Sequence, residues 1–126
     1  MNLLLDTHSI IWFLMGDRRL SHRARRAIEF GRNWISVSAI SGYELVYKSL
    51  RGKLEFPIGA DIVAEIRNAH FTVLSVSLEH AIEAAQLGGP HGDPWDRVLV
   101  AQARIENLIV VTRDRAFAEY GVRTLW

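Results

Sequence analysis

His91-Gly-Asp-Pro-Trp-Asp-Arg-Val-Leu-Val-Ala-Gln-Ala103 leads through Arg104-Ile-Glu-Asn107 into Leu108-Ile-Val-Val111 and Thr112-Arg-Asp114. Pro94 suits a first helical position, where a missing N–H has no partner to lose. Asp93 then reads as N-cap and Asp96 as the third helical residue, so both carboxylates face the positive end of the helix dipole. From Val98 the helix turns apolar, leaving little room for a solvated face. Two acids at its mouth mean either generous capping or carboxylates presented to something positive. The β-branched run 108–111 that follows is the clearest strand in the chain, so this stretch is a helix feeding a buried strand.

Working outward, the same unit recurs. Asn2 to Leu5 is a short apolar strand tipped by Asp6, with Ile10 to Leu14 as a helix directly after it. Gly16-Asp17 ends that helix, Ser21 caps an Arg-rich one reaching Gly31, and Trp34 to Val37 forms a strand. Ser38 starts a third helix closed by Gly52. A turn at Pro57-Ile-Gly59, helical periodicity over Ala60 to Ala69, a strand at Phe71 to Leu74 and a helix at Leu78 to Leu87 follow. Gly88-Gly89-Pro90 breaks the chain before the helix from Pro94 to Glu106. A helical turn near Arg115 to Glu119 and a strand at Val122 to Leu125 complete it. Five short apolar strands separated by helices predict an α/β fold, a five-stranded parallel sheet with helices on both faces. With 126 residues, no repeat and no linker, one domain over 1–126 is expected.

Composition narrows the chemistry. The net charge of +1 argues neither for nor against a polyanionic partner. Arg18, Arg19, Arg23, Arg25, Arg26 and Arg32 cluster early, and every basic residue except Lys48 and Lys53 is Arg, the side chain suited to bidentate contact with phosphate or carboxylate. A solvated helix face explains that cluster equally well. Without cysteine, disulfides, thiolate zinc sites and thiol nucleophiles are excluded. No apolar run approaches the ~20 residues of a membrane span, and the short run after Met1 is no signal peptide, so a cytoplasmic protein is expected. Neither a P-loop nor GxGxxG occurs, which argues against a nucleotide cofactor.

In open parallel sheets, ligands bind beyond the carboxyl ends of the strands where strand order reverses. Asp6 and Asp114 lie at two such ends and meet if their strands are neighbours. Asp93 and Asp96 reach the same rim if the helix after them points that way. Glu44 sits among Ile40, Tyr43, Leu45, Val46 and Tyr47 with no obvious polar stripe, and a buried carboxylate there needs a partner. Each acid has an ordinary alternative: Asp6 and Asp114 as helix caps, Glu44 paired with Lys48 one turn on. Together they are harder to explain so, because two carboxylates about 4 Å apart repel by roughly 4 kcal/mol at an effective dielectric near 20. A hard divalent ion, Mg²⁺ or Mn²⁺, suits an all-oxygen donor set better than zinc and points to a phosphoryl hydrolase.

Leu3-Leu-Leu-Asp-Thr-His8, Ser38-x-x-Ser41-x-x-Glu44 with Gly52-Lys53-Leu54, His91-x-Asp-Pro-Trp-Asp-Arg-x-Leu-x-Ala-Gln-Ala103 and Thr112-Arg-Asp114 together resemble the PIN-domain ribonucleases. More narrowly they resemble the VapC-type toxins of toxin–antitoxin modules, over essentially the whole chain and in the family's order. The resemblance implies a Mg²⁺- or Mn²⁺-dependent endoribonuclease that cleaves RNA phosphodiesters with metal-activated water. It maps Asp6, Glu44, Asp96 and Asp114 onto an acidic quartet of metal ligands, with Glu44 as ligand or base. Asp93 matches an extra acid of the Asp-Pro-x-Asp-Arg subgroup, as auxiliary ligand or cap, and Thr112 a supporting hydroxyl. Ser38 and Ser41 look structural, and Trp95 stands where Phe is common. An antitoxin wrapping the toxin, a homodimer and hetero-oligomers with the antitoxin are implied, with contacts expected on the Arg-rich second helix and on Tyr43, Tyr47 and Leu50.

The remaining residues carry plainer expectations. Arg97 flanks the acids, as a phosphate binder or an ion-pair partner of Asp93 or Glu44. Arg113 and Arg115 are candidates for the RNA backbone. His8 and His91 are expected to make local hydrogen bonds near the rim, while His22, His70 and His80 are surface or cap residues. Trp12 and Trp34 read as core, and Trp126 as packing at an edge. Two competing functions fit the same residues: a PIN nuclease of RNA processing outside any toxin role, and a non-catalytic PIN-like module that only docks RNA or protein.

Overall fold

The computed structural model describes residues 1–57, 61–89 and 92–126. Within them five strands form one parallel sheet: β1 (Asn2–Leu5), β2 (Trp34–Ser38), β3 (Thr72–Leu74), β4 (Ile109–Val111) and β5 (Thr124–Leu125), ordered β3-β2-β1-β4-β5. The described helices are α1 (Thr7–Leu14), α2 (His22–Glu29), α3 (Ala39–Leu50), α4 (Ile62–Asn68), α5 (Leu78–Gln86), α6 (Pro94–Ile105) and α7 (Ala116–Glu119). Every expected element is present, with bounds displaced by a residue or a few. The expected turn at Pro57–Gly59, the Pro90 end of the Gly-Gly-Pro break and His91 fall wholly or partly outside the described residues.

Side chains of β1 divide between two cores because successive strand residues point to opposite faces. Leu3 and Leu5 join Ile10, Ile11, Trp12, Ala24, Ile28, Leu45 and Ile66 on the face covered by α1 to α4. Leu4 and Val110 join Leu99, Val100, Ala103 and Phe117 on the face covered by α5, α6 and α7. Burial on both faces is why β1 and β4 read as continuous apolar runs rather than alternating ones. Removing one such side chain, as in Leu4→Ala, is expected to cost about 2–5 kcal/mol.

Local chemistry starts and stops the helices where the sequence places the signals. Ser21, Ser38, Asp61, Ser77 and Asp93 each accept a backbone N–H as N-cap. His80 is the third helical residue of α5 and completes a capping box with Ser77, and it is buried rather than on the surface. Gly52 takes φ +67° just beyond α3, a conformation costly to residues with a Cβ. Asn107 follows α6 at φ +54°, the left-handed C-terminal position that Asn tolerates.

One expectation from apolar pattern is corrected. Trp34 is 60% exposed, not core, because it opens β2 ahead of the buried run Ile35–Ser38. On α3, Tyr43, Val46, Tyr47 and Leu50 face solvent, while Leu45 and Glu44 turn inward. The helix buries its acid and exposes its aromatics.

Candidate metal centre

The chain runs from β1 outward through β2 to β3, then returns to the other side of β1 for β4. That reversal opens a crevice beyond the carboxyl ends of β1 and β4. The two strands pair with Leu5 opposite Val111, so Asp6 and Thr112 leave the sheet side by side and Asp114 follows two residues later. Asp6 donates its N–H to the Val111 carbonyl (3.2 Å), and the Ser9 hydroxyl donates to the same carbonyl (2.9 Å). These bonds lock the first turn of α1 onto the end of β4.

Asp6 is the N-cap of α1, accepting from the Ser9 N–H at 2.9 Å, and is 8% exposed. Burial raises its pKa against the lowering bonds from Thr112 and Ser9. Asp6 thus satisfies the cap alternative and still lies on the crevice. Asp114 is exposed, accepting from the Ala116 N–H at 2.9 Å and donating its own N–H to the Thr112 hydroxyl at 3.0 Å. Thr112 therefore touches both acids, consistent with the supporting position expected of it.

Glu44 is buried and engaged on both oxygens: Thr7 donates at 2.6 Å and Lys48 at 2.5 Å. The ordinary alternative for Glu44, an ion pair one turn on, is present. Burial disfavours the Lys48 charge, but the hydrogen bond and attraction of Glu44, reinforced by Asp93 and Asp96, leave its pKa raised. The pair leaves Glu44 within electrostatic reach of the other acids.

At the mouth of α6, Asp93 caps the helix, accepting from the N–H groups of Trp95 (2.9 Å) and Asp96 (3.4 Å). Asp96 has no hydrogen-bond donor on its carboxylate among the described residues. Its pKa is pushed up to about 7, by burial first and then by repulsion from Asp93, Glu44, Asp6 and Asp114. The four other acids thus all act on Asp96. Among the described residues no three acid or histidine side chains converge closely enough to ligate one ion as they stand, since caps, Thr7 and Lys48 hold several of them. The donor chemistry nevertheless fits a hard cation: the set is all oxygen and carries an excess of negative charge that Lys48 only partly offsets.

Arg97 reaches from α6 to the end of α5. Its guanidinium donates through Nε to the Ala84 carbonyl (3.1 Å) and through Nη2 to the Leu87 carbonyl. These are carbonyls of the last turn of α5 and just beyond it, left without partners by the end of the helix, so Arg97 braces α5 against α6. Neither the phosphate role nor the ion pair with Asp93 or Glu44 accounts for these bonds. His8 is exposed with its ring 5.4 Å from that of Trp12, and Trp126 packs edge-on against Trp12 as expected. Thr7, Ser9 and Lys48 support the site, and only Lys48 had a sequence signal, its helical spacing from Glu44.

A family model for the PIN domain matches residues 3–122, nearly the whole chain. This chain belongs to the PIN-domain family. Within that family it is 30% identical to Ribonuclease VapC22 of Mycobacterium tuberculosis over 115 residues, covering 89% of this chain and 86% of that protein. The fold of this PIN domain recurs in solved structures of low identity. It matches VapBC2 from Rickettsia felis, bound to a DNA fragment from its promoter, with a TM-score of 0.68 at 16% identity, over 99% of this chain and 98% of the other. FitAcB from Neisseria gonorrhoeae matches with a TM-score of 0.61 at 20% identity, over 98% and 96%. VapBC-1 from nontypeable Haemophilus influenzae gives 0.63 at 16%, over 99% and 97%.

Proposed function

We propose that this chain, acting as one PIN domain over 1–126, is a Mg²⁺- or Mn²⁺-dependent endoribonuclease of VapC type and the toxin of a toxin–antitoxin pair. The observation that carries the reading is the gathering of five carboxylates at the strand-order reversal, with Asp96 given no donor among the described residues and its proton affinity raised. Asp6, Asp96, Asp114 and Glu44 would hold the ion, with Asp93 auxiliary while it caps α6. When bound, such an ion lowers the pKa of water and stabilises charge developing on a phosphodiester. The chain's own contribution is orientation. Thr112 and Ser9 fix Asp6, Thr7 and Lys48 fix Glu44, and the buried run Leu99–Ala103 anchors the helix that carries Asp96.

The partners in this reading are RNA, a cognate antitoxin and a second copy of the chain. The structural relatives bearing VapBC names support the antitoxin, as does the exposed apolar face of Tyr43, Val46, Tyr47 and Leu50. A complex leaving α2 and α3 both in solvent would count against that contact. Among the described residues no helix is long and apolar enough to cross a membrane, and a cytoplasmic location belongs to the proposal.

The test is incubation of antitoxin-free protein with total cellular RNA and Mn²⁺ or Mg²⁺, with new 5′ ends mapped by sequencing beside a folded Asp96→Ala variant. Discrete ends that require both the ion and Asp96 are expected. Ends that persist in Asp96→Ala, or none from either protein, would overturn the nuclease reading.

A further inference from the structure

A chain that gathers five carboxylates repels the polyanion it is proposed to cut. One bound ion offsets only part of that, and the net charge of +1 supplies no general attraction. In physiological salt the interaction between exposed charges falls off over about 8 Å, so cations that help must stand beside the acids themselves.

Besides Lys48, which is paired with Glu44, two arginines do so. An open pocket of about 330 Å³ has Asp6 and Asp114 on its inner wall and His8, Trp12, Arg19 and Arg113 around the rest. Trp12 is its floor. The Arg113 guanidinium lies 4.8 Å from the indole centroid and that of Arg19 5.2 Å, with the His8 ring tilted against the same indole. Trp12 is 5% exposed, so it offers no open face for a base to stack on and acts as a surface on which cations rest. Each cation–π contact contributes about 0.5–1 kcal/mol and restricts a long side chain before any ligand arrives.

Both guanidiniums keep donors to spare. Arg113 has no carboxylate within ion-pair distance among the described residues, although it precedes Asp114. Arg19 is paired with Asp17 through Nε and Nη2, and its Nη1 makes no hydrogen bond to the described residues. A second cavity, about 240 Å³, shares His8, Trp12 and Arg19 and adds Lys53 together with Glu55, whose charge also acts on Arg19.

We infer that His8, Arg19 and Arg113, seated on Trp12, form a binding site for the RNA backbone phosphate next to the one being cleaved. Arginine suits this task because its planar fork binds phosphate oxygens in pairs. The site reads backbone rather than base, so it positions the strand without selecting its sequence. The inference rests on the nuclease reading above and deepens it.

The test separates the two. Full-length protein carrying Asp96→Asn, to prevent cleavage, is titrated with fluorescein-labelled single-stranded oligouridine in Mg²⁺ over a range of salt concentrations. Arg113→Gln and Arg19→Gln, which keep much of the stem over Trp12, are compared with Arg32→Gln, which removes one exposed charge near the opposite end of β2. Each pocket variant is expected to lower the slope of log Kd against log salt by about 0.7, the value for one single-strand phosphate contact. Arg113→Lys is expected to keep that slope, and Arg32→Gln to leave it unchanged. In the cleavage-competent chain, Arg113→Gln should raise KM more than it lowers kcat. If the unsubstituted chain cleaves RNA yet both pocket variants bind as Arg32→Gln does, the phosphate site falls and the nuclease stands. If the unsubstituted chain neither cleaves nor binds RNA, both fall together.

Discussion

Glu44 on α3 and Asp96 on α6 face the same crevice in opposite conditions. Glu44 has a hydroxyl and an ammonium within 2.6 Å, Thr7 from α1 and Lys48 from its own helix. Asp96 has no donor among the described residues and four carboxylates acting against its charge. One acid is completed by the protein, and the other is left for something that is not protein. Burying a carboxylate without a partner is costly, and burial with like charges is costlier still. In the ion-free protein, therefore, Glu44 is held in place by its partners while Asp96 has none among the described residues.

The largest expected effect comes from removing the Asp96 charge. Asp96→Asn should lower RNA cleavage on the order of 10³-fold, beyond the 10–100-fold typical of partners outside the ligand set. The same change should stabilise the ion-free protein at neutral pH, since it deletes a repelled charge. A variant that keeps its activity would erase the distinction between the two acids.

The pH dependence of stability comes next. Asp96 is raised from 3.8 to about 7, so the folded state holds a proton that the unfolded state has released between those values. Stability of the ion-free protein should therefore fall as pH rises from about 4 to about 7, by up to about 4 kcal/mol from this group. Urea unfolding at pH 5 and pH 8 measures it, and Asp96→Asn should flatten the difference. Mn²⁺ or Mg²⁺ competes with the proton, so the gain in Tm on adding either ion should be larger at pH 8 than at pH 5. An equal gain at both values would mean that the ion does not engage Asp96.

On the other side of the comparison, Lys48→Met should cost about 3 kcal/mol, because it strands Glu44 in a buried position. Thr7→Val removes one hydrogen bond to the same carboxylate and should cost about 2 kcal/mol. Chemical denaturation reads both. If Glu44→Gln combined with Lys48→Met restores most of the loss, the pair is scaffolding; if Lys48→Met alone is neutral, Glu44 is as open as Asp96.

Much of this was legible in the residues. The strands announce themselves as apolar runs, Ser21, Ser38 and Asp93 as caps, and the carboxylates by their places at strand tips and at a helix mouth. Two features are not legible there for one shared reason. The exposure of Trp34 and the bonds of Arg97 to the end of α5 are set by segments elsewhere in the chain, whereas residue type and local pattern act over a few residues. Nothing near Arg97 in sequence says that the end of α5 lies beside it with carbonyls lacking partners.

The sequence by itself determined the elements, their order and which acids lie near strand or helix ends, because periodicity and capping act over a few residues. It also carried the family resemblance. Only the tertiary structure decided that β1 and β4 are neighbours, that Thr7 and Lys48 complete Glu44 while Asp96 goes without, and that Arg19 and Arg113 share one indole. Those relations depend on which distant segments the parallel sheet brings side by side. A carboxylate's charge is set by the groups within a few ångströms of it in space, whatever their distance along the chain.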